Sequence, residues 1–291
     1  IKKEGSRGFL RVSERCNFRE DGYVKVDMQY QGLDYDYKAP EAEKQDLKSL
    51  LAHYNVRKNI QEGFLSAKHT DLEVSLIDSL LKYQNVQLHY YHSSDIRKNY
   101  QKYYLLHCLN HILKTRNRVL SNNQKKKKIM EQIDKEQIDP SEADKPQFRD
   151  QGYTRPRVLI LLPTRNAAWE VVNKLVNLSG IETVESKKRF REQFYDSFGR
   201  GNTPSELSYR KKPTDFREMF KGNSNDYFCL GVKLTRKSIR LYAKLDQSDI
   251  IVASPLGLKM IYEKSANSKG RKRGRKEDTE FLSSIEISVL D

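Results

Sequence analysis

No Gly-Lys dipeptide occurs anywhere in the 291 residues. That excludes the phosphate-binding loop in which glycines let backbone N–H groups hug a nucleotide's phosphates beside a lysine ammonium. Cysteine is scarce as well. Cys16, Cys108 and Cys229 stand far apart without CxxC spacing, so neither a disulfide framework nor a zinc site is indicated, and a reducing compartment is the simplest setting. Long apolar runs are missing too. None approaches the roughly 18 to 20 residues of a spanning helix, and no signal-peptide pattern opens the chain.

What is abundant is positive charge. Lys and Arg number 54 against 39 Asp and Glu, giving a net +15 and a pI near 9.5. An imbalance of this size favours a polyanionic partner: RNA, DNA or, least of the three, an acidic membrane surface. The 37% hydrophobic content supports a modest core, best fitted by one α/β domain with polar extensions. The chain begins at Ile1 and ends at Asp291 on an apolar strand pattern, and is expected to be part of a longer protein.

Residues 1–40 lack sustained periodicity and carry the tyrosine-rich tract DMQYQGLDYDYKAP. They read as an extended arm that orders against a partner, or equally as a short hairpin or loose terminus. Residues 41–82 read as a helical segment. Leu47, Leu50, Leu51 and Tyr54 form one stripe, and Thr70 or Asp71 caps a helix bearing Leu72, Leu76 and Leu80. The alternation of Val86, Leu88 and Tyr90 predicts a strand, followed after a short loop by a helix over about Ile96 to Leu120 with Leu105, Leu109, Ile112 and Leu113 buried. The stretch from Asn122 to Asp150, with its Lys125 to Lys128 run, reads as a linker or loop, the lysines solubilising it.

Five aliphatics, Val158 to Leu162, predict a strand buried on both faces, with a helix starting near Asn166. Residues 181–225 are too long for a simple connection and read as an insertion with its own helix. Strands follow in DYFCLGVKL, in Asp249 to Ala253, and in FLSSIEISVLD, where Ile285, Ile287 and Val289 alternate. Strands joined by helical crossovers predict an α/β, mostly parallel, doubly wound sheet.

Three strands thus end in PTRNAA, in ASPLGL and in VLD, an order that resembles the first, RecA-like lobe of DEAD-box helicases. The longer strings DQGYTRPRVLILLPTR, RKSIRLYAKLDQSDIIVASPLGL and FLSSIEISVLD are similar to the digestive organ expansion factor family, also called U-three protein twenty-five, helicase-like components of the small-subunit processome. The resemblance covers residues 83–291, read as a degenerate first lobe, and implies a second lobe beyond Asp291. In such a lobe the phosphate loop would lie between the first strand and the first long helix, here the HSSD junction between Tyr91 and Ile96. No glycine is found there. Asp291 falls where the resemblance puts a magnesium-facing aspartate, a degenerate position once the phosphates have no cradle.

The resemblance also implies that Thr164 and Arg165, and Ser254 and Gly257, touch an RNA backbone. Hydroxyls, a guanidinium and helix N-terminal N–H groups at the carboxyl ends of parallel strands make a phosphate shelf. The alternative is that Thr164 and Ser254 only cap helices while Arg165 pairs with a surface carboxylate. The KGRKRGRK loop adds Lys269, Arg271, Lys272, Arg273, Arg275 and Lys276, suited to RNA phosphates, to nuclear import or to solubility alone. His107 and His111 share a helix face at metal-ligand spacing, but no third ligand is evident, which favours packing or surface roles. Trp169 and the SKKRFREQFYDSF tract suit base stacking, or else helix packing and docking on protein.

The expectation is therefore a non-catalytic, helicase-like scaffold of the nucleus and nucleolus in ribosome biogenesis, needed for pre-18S rRNA processing. It is expected to contact pre-rRNA or small nucleolar RNA and processome proteins, with no cofactor, metal, membrane or small-molecule substrate. The competing readings are an active RNA-dependent ATPase or helicase, and a free-standing RNA-binding protein.

Overall fold

The computed structural model describes residues 10–12, 46–65, 68–87, 94–135, 139, 141, 155–195, 211–235, 237–267 and 279–291. The chain divides into two compact units, Ile1–His107 and Cys108–Asp291, with the division inside a long helix. In the first unit a short strand β1 (Leu10–Val12) precedes helices α1 (Leu47–His53), α2 (Lys58–Leu65) and α3 (Asp71–Leu81) and strand β2 (Asn85–Gln87). The stripe of Leu47, Leu50 and Leu51 is buried on α1, which ends at Tyr54 because Asn55 turns the chain at φ 51°, a left-handed conformation asparagine tolerates. Leu50, Leu51, Ile60, Phe64, Leu76, Ile77 and Leu81 are buried between these helices. Thr70 caps α3 as expected. Its hydroxyl accepts from the Glu73 N–H while the Glu73 carboxylate accepts from the Thr70 N–H.

Two expectations change here. Strand β2 does not open the main sheet; it pairs antiparallel with β1, Leu10 opposite Gln87, in a two-stranded sheet. Residues 88–93, which hold the rest of that expected strand and the first half of its junction, lie outside the described residues, as does nearly all of the 1–40 arm; Ser94 and Asp95 open α4. Helix α4 (Ser94–Ile133) also continues well past Leu120, through the lysine run expected in a loop. Lys, Gln, Met and Glu are strong helix formers and no Gly or Pro interrupts Ser121 to Ile133, so propensity sustains the helix where packing does not. Leu105, Leu109, Ile112 and Leu113 are buried, as their spacing predicts.

The second unit is mixed α/β. Strand β3 (Val158–Leu161), helix α5 (Arg165–Ser179), strand β4 (Thr183–Glu185) and helix α6 (Lys187–Phe194) come first. After them run α7 (Thr214–Met219), β5 (Cys229–Leu234), β6 (Ser238–Ala243), β7 (Ile250–Ala253), α8 (Pro255–Asn267) and β8 (Ile287–Leu290). The six-stranded sheet has the order β4-β6-β5-β7-β3-β8. Five strands run parallel and β5 runs against both neighbours. All four residues of β7 are buried, as a central strand covered on both faces requires.

Strands β4 and β6 were not foreseen. They are short and polar on one face, and β6 is fed by the turn at Thr235, whose hydroxyl and N–H both bond Ser238.

Candidate functional site

In open α/β sheets ligands settle beyond the carboxyl ends of the strands. That edge here carries Thr164 after β3, Ser254 after β7, Asp291 after β8 and, because β5 is reversed, Phe228 before β5. Thr164 is buried, in extended conformation, and its hydroxyl accepts from the Ala167 N–H at 3.2 Å. It is the N-cap of α5.

The preceding two helical N–H groups are also engaged. Arg165 N–H donates to the Asn225 carbonyl and Asn166 N–H to the Asn223 carbonyl, both at 2.9 Å. The first turn of α5, whose N–H groups and dipole would attract an anion, is thus filled by the main chain of residues 222–228.

That segment is built for the task. Gly222 has φ 74°, and a Cβ there would collide with the Asn166 side chain. The Asn223 side chain accepts from the Asn225 N–H, and the Asn225 side chain from the Tyr227 N–H at 2.9 Å, two successive Asx turns. Arg165 fastens it. Its guanidinium donates to the Gln193 carbonyl at 3.1 Å and the Tyr227 carbonyl at 2.8 Å, and lies 5.4 Å over the Phe194 ring. Its Nε is buried without a partner among the described residues. Burial lowers the guanidinium pKa from its ordinary value, and Tyr242 opposes that shift. Arg165 therefore joins α5, the end of α6 and the approach to β5 through carbonyls, not through a surface carboxylate.

The second pair behaves alike. Ser254 is fully buried, and its hydroxyl accepts from the Gly257 N–H at 2.9 Å, capping α8. The Ser254 N–H donates to the Phe228 carbonyl at 3.1 Å. Gly257 faces that same residue: a Cβ on it would fall inside the Phe228 carbonyl oxygen. Glycine at this position lets a helix and a strand approach closely. The groups through which Thr164, Arg165, Ser254 and Gly257 would meet a phosphate are thus engaged within the protein. Sequence reasoning missed the segment that engages them, although GNSND, with Gly before two asparagines two apart, is a turn signal.

Asp291 follows β8, its N–H donating to the Leu161 carbonyl at 3.1 Å. Among the described residues no group of three or more His, Cys, Asp or Glu side chains gathers to hold a metal. His107 is buried with its ring 4.7 Å from that of Tyr83, edge to face, and His111 pairs with Glu286 at 2.5 Å, so both histidines have packing or polar roles. Trp169 does pack beside its helix, with ring centroids 5.1 Å from Phe190 and 5.3 Å from Tyr195. The six cations of the Lys269 to Lys276 loop lie outside the described residues.

Comparison with known proteins follows the same residues. A protein of Debaryomyces hansenii named U3 small nucleolar RNA-associated protein 25 is 47% identical over 76% of this chain and 28% of its own. Proteins of that name from Candida albicans (45% identical, 84% of this chain, 31% of theirs) and Candida glabrata (41%, 99% and 38%) match as well. The chain spans about a third of the length of these curated relatives. No solved structure matches. The family model described as "UTP25, NTP hydrolase-like domain" matches residues 83–291, which take in β2, α4 and the whole six-stranded sheet with its capped carboxyl edge. The chain belongs to that family.

Proposed function

We propose that this chain is a non-catalytic, helicase-like platform of the small-subunit processome. It serves pre-18S rRNA processing in the nucleolus and holds processome proteins together with pre-rRNA or small nucleolar RNA. The relatives' name, U3 small nucleolar RNA-associated protein 25, supports the assignment to ribosome biogenesis. The net charge of +15 supports an RNA partner.

The filled first turn of α5, with the Asn225 and Asn223 carbonyls standing where an anion would sit, speaks against a backbone-phosphate contact there, while the non-catalytic part is carried by the sequence. The residues also fit a nucleotide poorly. There is no Gly-Lys dipeptide and no glycine between Tyr91 and Ile96, and phosphoryl transfer depends on such a cradle for both position and charge. In this reading the pseudo-helicase lobe occupies residues 83–291, after a 1–40 arm and a 41–82 helical segment. RNA affinity rests chiefly on Lys269, Arg271, Lys272, Arg273, Arg275 and Lys276, while Thr164, Arg165, Ser254 and Gly257 hold the carboxyl edge of the sheet together.

Titration of full-length protein with Mg-ATP, with and without RNA, tests the reading. No saturable binding and no RNA-stimulated hydrolysis are expected. Measurable ATP affinity with RNA-stimulated turnover would establish the helicase reading instead.

A further inference from the structure

Beside the filled edge, α6 combines two features that core packing does not explain. Phe190 and Phe194, on its inner face, are 1% and 3% exposed and make the helix's contact with the sheet unit. Tyr195, the next residue, is 52% exposed, yet it is held flat: its ring stacks on Trp169 at 5.3 Å with the planes 30° apart. Trp169 is in turn braced by Phe190 at 5.1 Å, and Phe190 by Phe194 at 4.6 Å. A tyrosine wanted only for burial would not keep half its surface in water, and one wanted only for solubility would not be backed by two further rings.

The second feature is charge. Lys187, Lys188, Arg189 and Arg191 outnumber the helix's single carboxylate, Glu192. Lys188, Arg191 and Glu192 lie seven, four and three residues before Tyr195, spacings that share one helix face, so two cations meet a single carboxylate there. Arg189 is set over the Tyr242 ring at 4.1 Å, on a different side.

We propose that Tyr195, stiffened by Trp169 and flanked by the cations of α6, is a stacking platform for an unpaired base of single-stranded RNA. An aromatic face with cations alongside takes any base by its π-face and the adjoining phosphates by charge. Duplex RNA keeps its bases stacked internally and gains nothing from such a face. The platform deepens the RNA-binding reading above and rests on it. It also moves the contact from the filled first turn of α5 to the surface next to it, since Arg165 bonds the Gln193 carbonyl two residues before Tyr195.

The chain's one tryptophan reports on the site directly. The full chain is titrated with an oligouridylate of about ten nucleotides while Trp169 emission is followed. Wild-type protein is expected to bind with a change in emission. Tyr195→Ala should weaken binding about tenfold, and Tyr195→Phe should bind like wild type. Lys188→Gln, which removes a cation of the Tyr195 face and leaves the rings untouched, should lower the slope of log affinity against log salt by about 0.7.

Equal affinity for wild type and Tyr195→Ala overturns the platform but leaves the RNA reading standing. Absence of oligouridylate binding by wild type overturns both. An emission change produced by polyglutamate and not by oligouridylate also overturns the platform, in favour of an acidic protein partner.

Discussion

The two edges of the six-stranded sheet solve the same problem with different chemistry. At the carboxyl edge, Thr164 and Ser254 cap helices, and the free N–H groups of α5 meet carbonyls of Asn223 and Asn225. Main-chain and hydroxyl groups make most of these bonds, with the Arg165 guanidinium and the Glu170 carboxylate, which accepts from the Asn166 side chain, as charged participants. At the amino edge the bonds are made by charged side chains from α4 and the strand entrances. His111 pairs with Glu286 at 2.5 Å, Arg157 donates to the Thr115 hydroxyl at 2.8 Å, Arg116 donates to the Leu234 carbonyl, and Asp249 accepts from the Leu234 N–H at 2.7 Å. Ligand sites of α/β sheets lie at the carboxyl edge, where polar groups are normally left for the ligand. Here the Thr164 and Ser254 hydroxyls and the first N–H groups of α5 are already bonded within the protein, the arrangement that the proposed non-catalytic reading expects.

The largest effect that sharpens this contrast is expected from Gly257→Ala. The added Cβ meets the Phe228 carbonyl, and stability to urea should fall by about 2 kcal/mol even though alanine is the better helix former. A glycine held for RNA approach would instead tolerate alanine in the free protein. Arg165→Ala comes next. It removes two charge-assisted bonds to main-chain carbonyls, the one to Gln193 part-buried and the one to Tyr227 exposed, and a loss of about 1.5 kcal/mol is expected in the same assay. If stability is unchanged while RNA affinity falls, the carboxyl edge is a ligand site after all. Thr164→Ala should cost about 1 kcal/mol through the lost cap, with Thr164→Ser recovering most of it.

The smallest effect lies at the amino edge. Burial raises the Asp249 carboxyl pKa above its ordinary value, against the pull of the Leu234 N–H, Arg116, Lys233 and Arg157. The folded chain therefore binds the proton more tightly than the unfolded one, so stability falls as pH rises from the ordinary aspartate pKa through the raised one. Asp249→Asn removes that loss. Thermal melts across pH should show the variant gaining on wild type within about 1 kcal/mol near neutrality, with the gain fading on acidification. A gain that grows on acidification would reverse the sign assigned to this edge.

The strands of the main sheet were legible where apolar runs are dense. Val158 to Leu162 and Ile250 to Ala253 announce themselves because strands covered on both faces are built almost wholly of apolar residues, and Ile287 and Val289 do so by alternation on an edge strand. Strands β4 and β6 were not, since TVE and SIRLYA mix apolar with charged residues; β4 owes its place to β6, some way along the chain, and β6 closes a hairpin on β5 whose turn at Thr235 carries no glycine or proline. The pairing of β2 with β1 was hidden for the same reason: three residues near the start of the chain supply its neighbour. The extension of α4 was read as a linker because four lysines in a row suggest solvent, and a helix face can be solvent too. As for the site, Thr164 and Ser254 could be placed at helix starts from sequence, but not the segment at Asn223 and Asn225 that occupies the space before α5. Its place depends on how the stretch between β4 and β5, remote from α5 in sequence, returns to the sheet.

Amide hydrogen exchange at Arg165, Asn166 and Ala167 tests the central claim most directly. Engagement by Asn225, Asn223 and Thr164 predicts that these amides exchange as slowly as the interior of α5 in the free protein and gain no protection when RNA or Mg-ATP is added. Fast exchange that becomes slow on adding either ligand would contradict it, because the first turn of α5 would then be an open anion site.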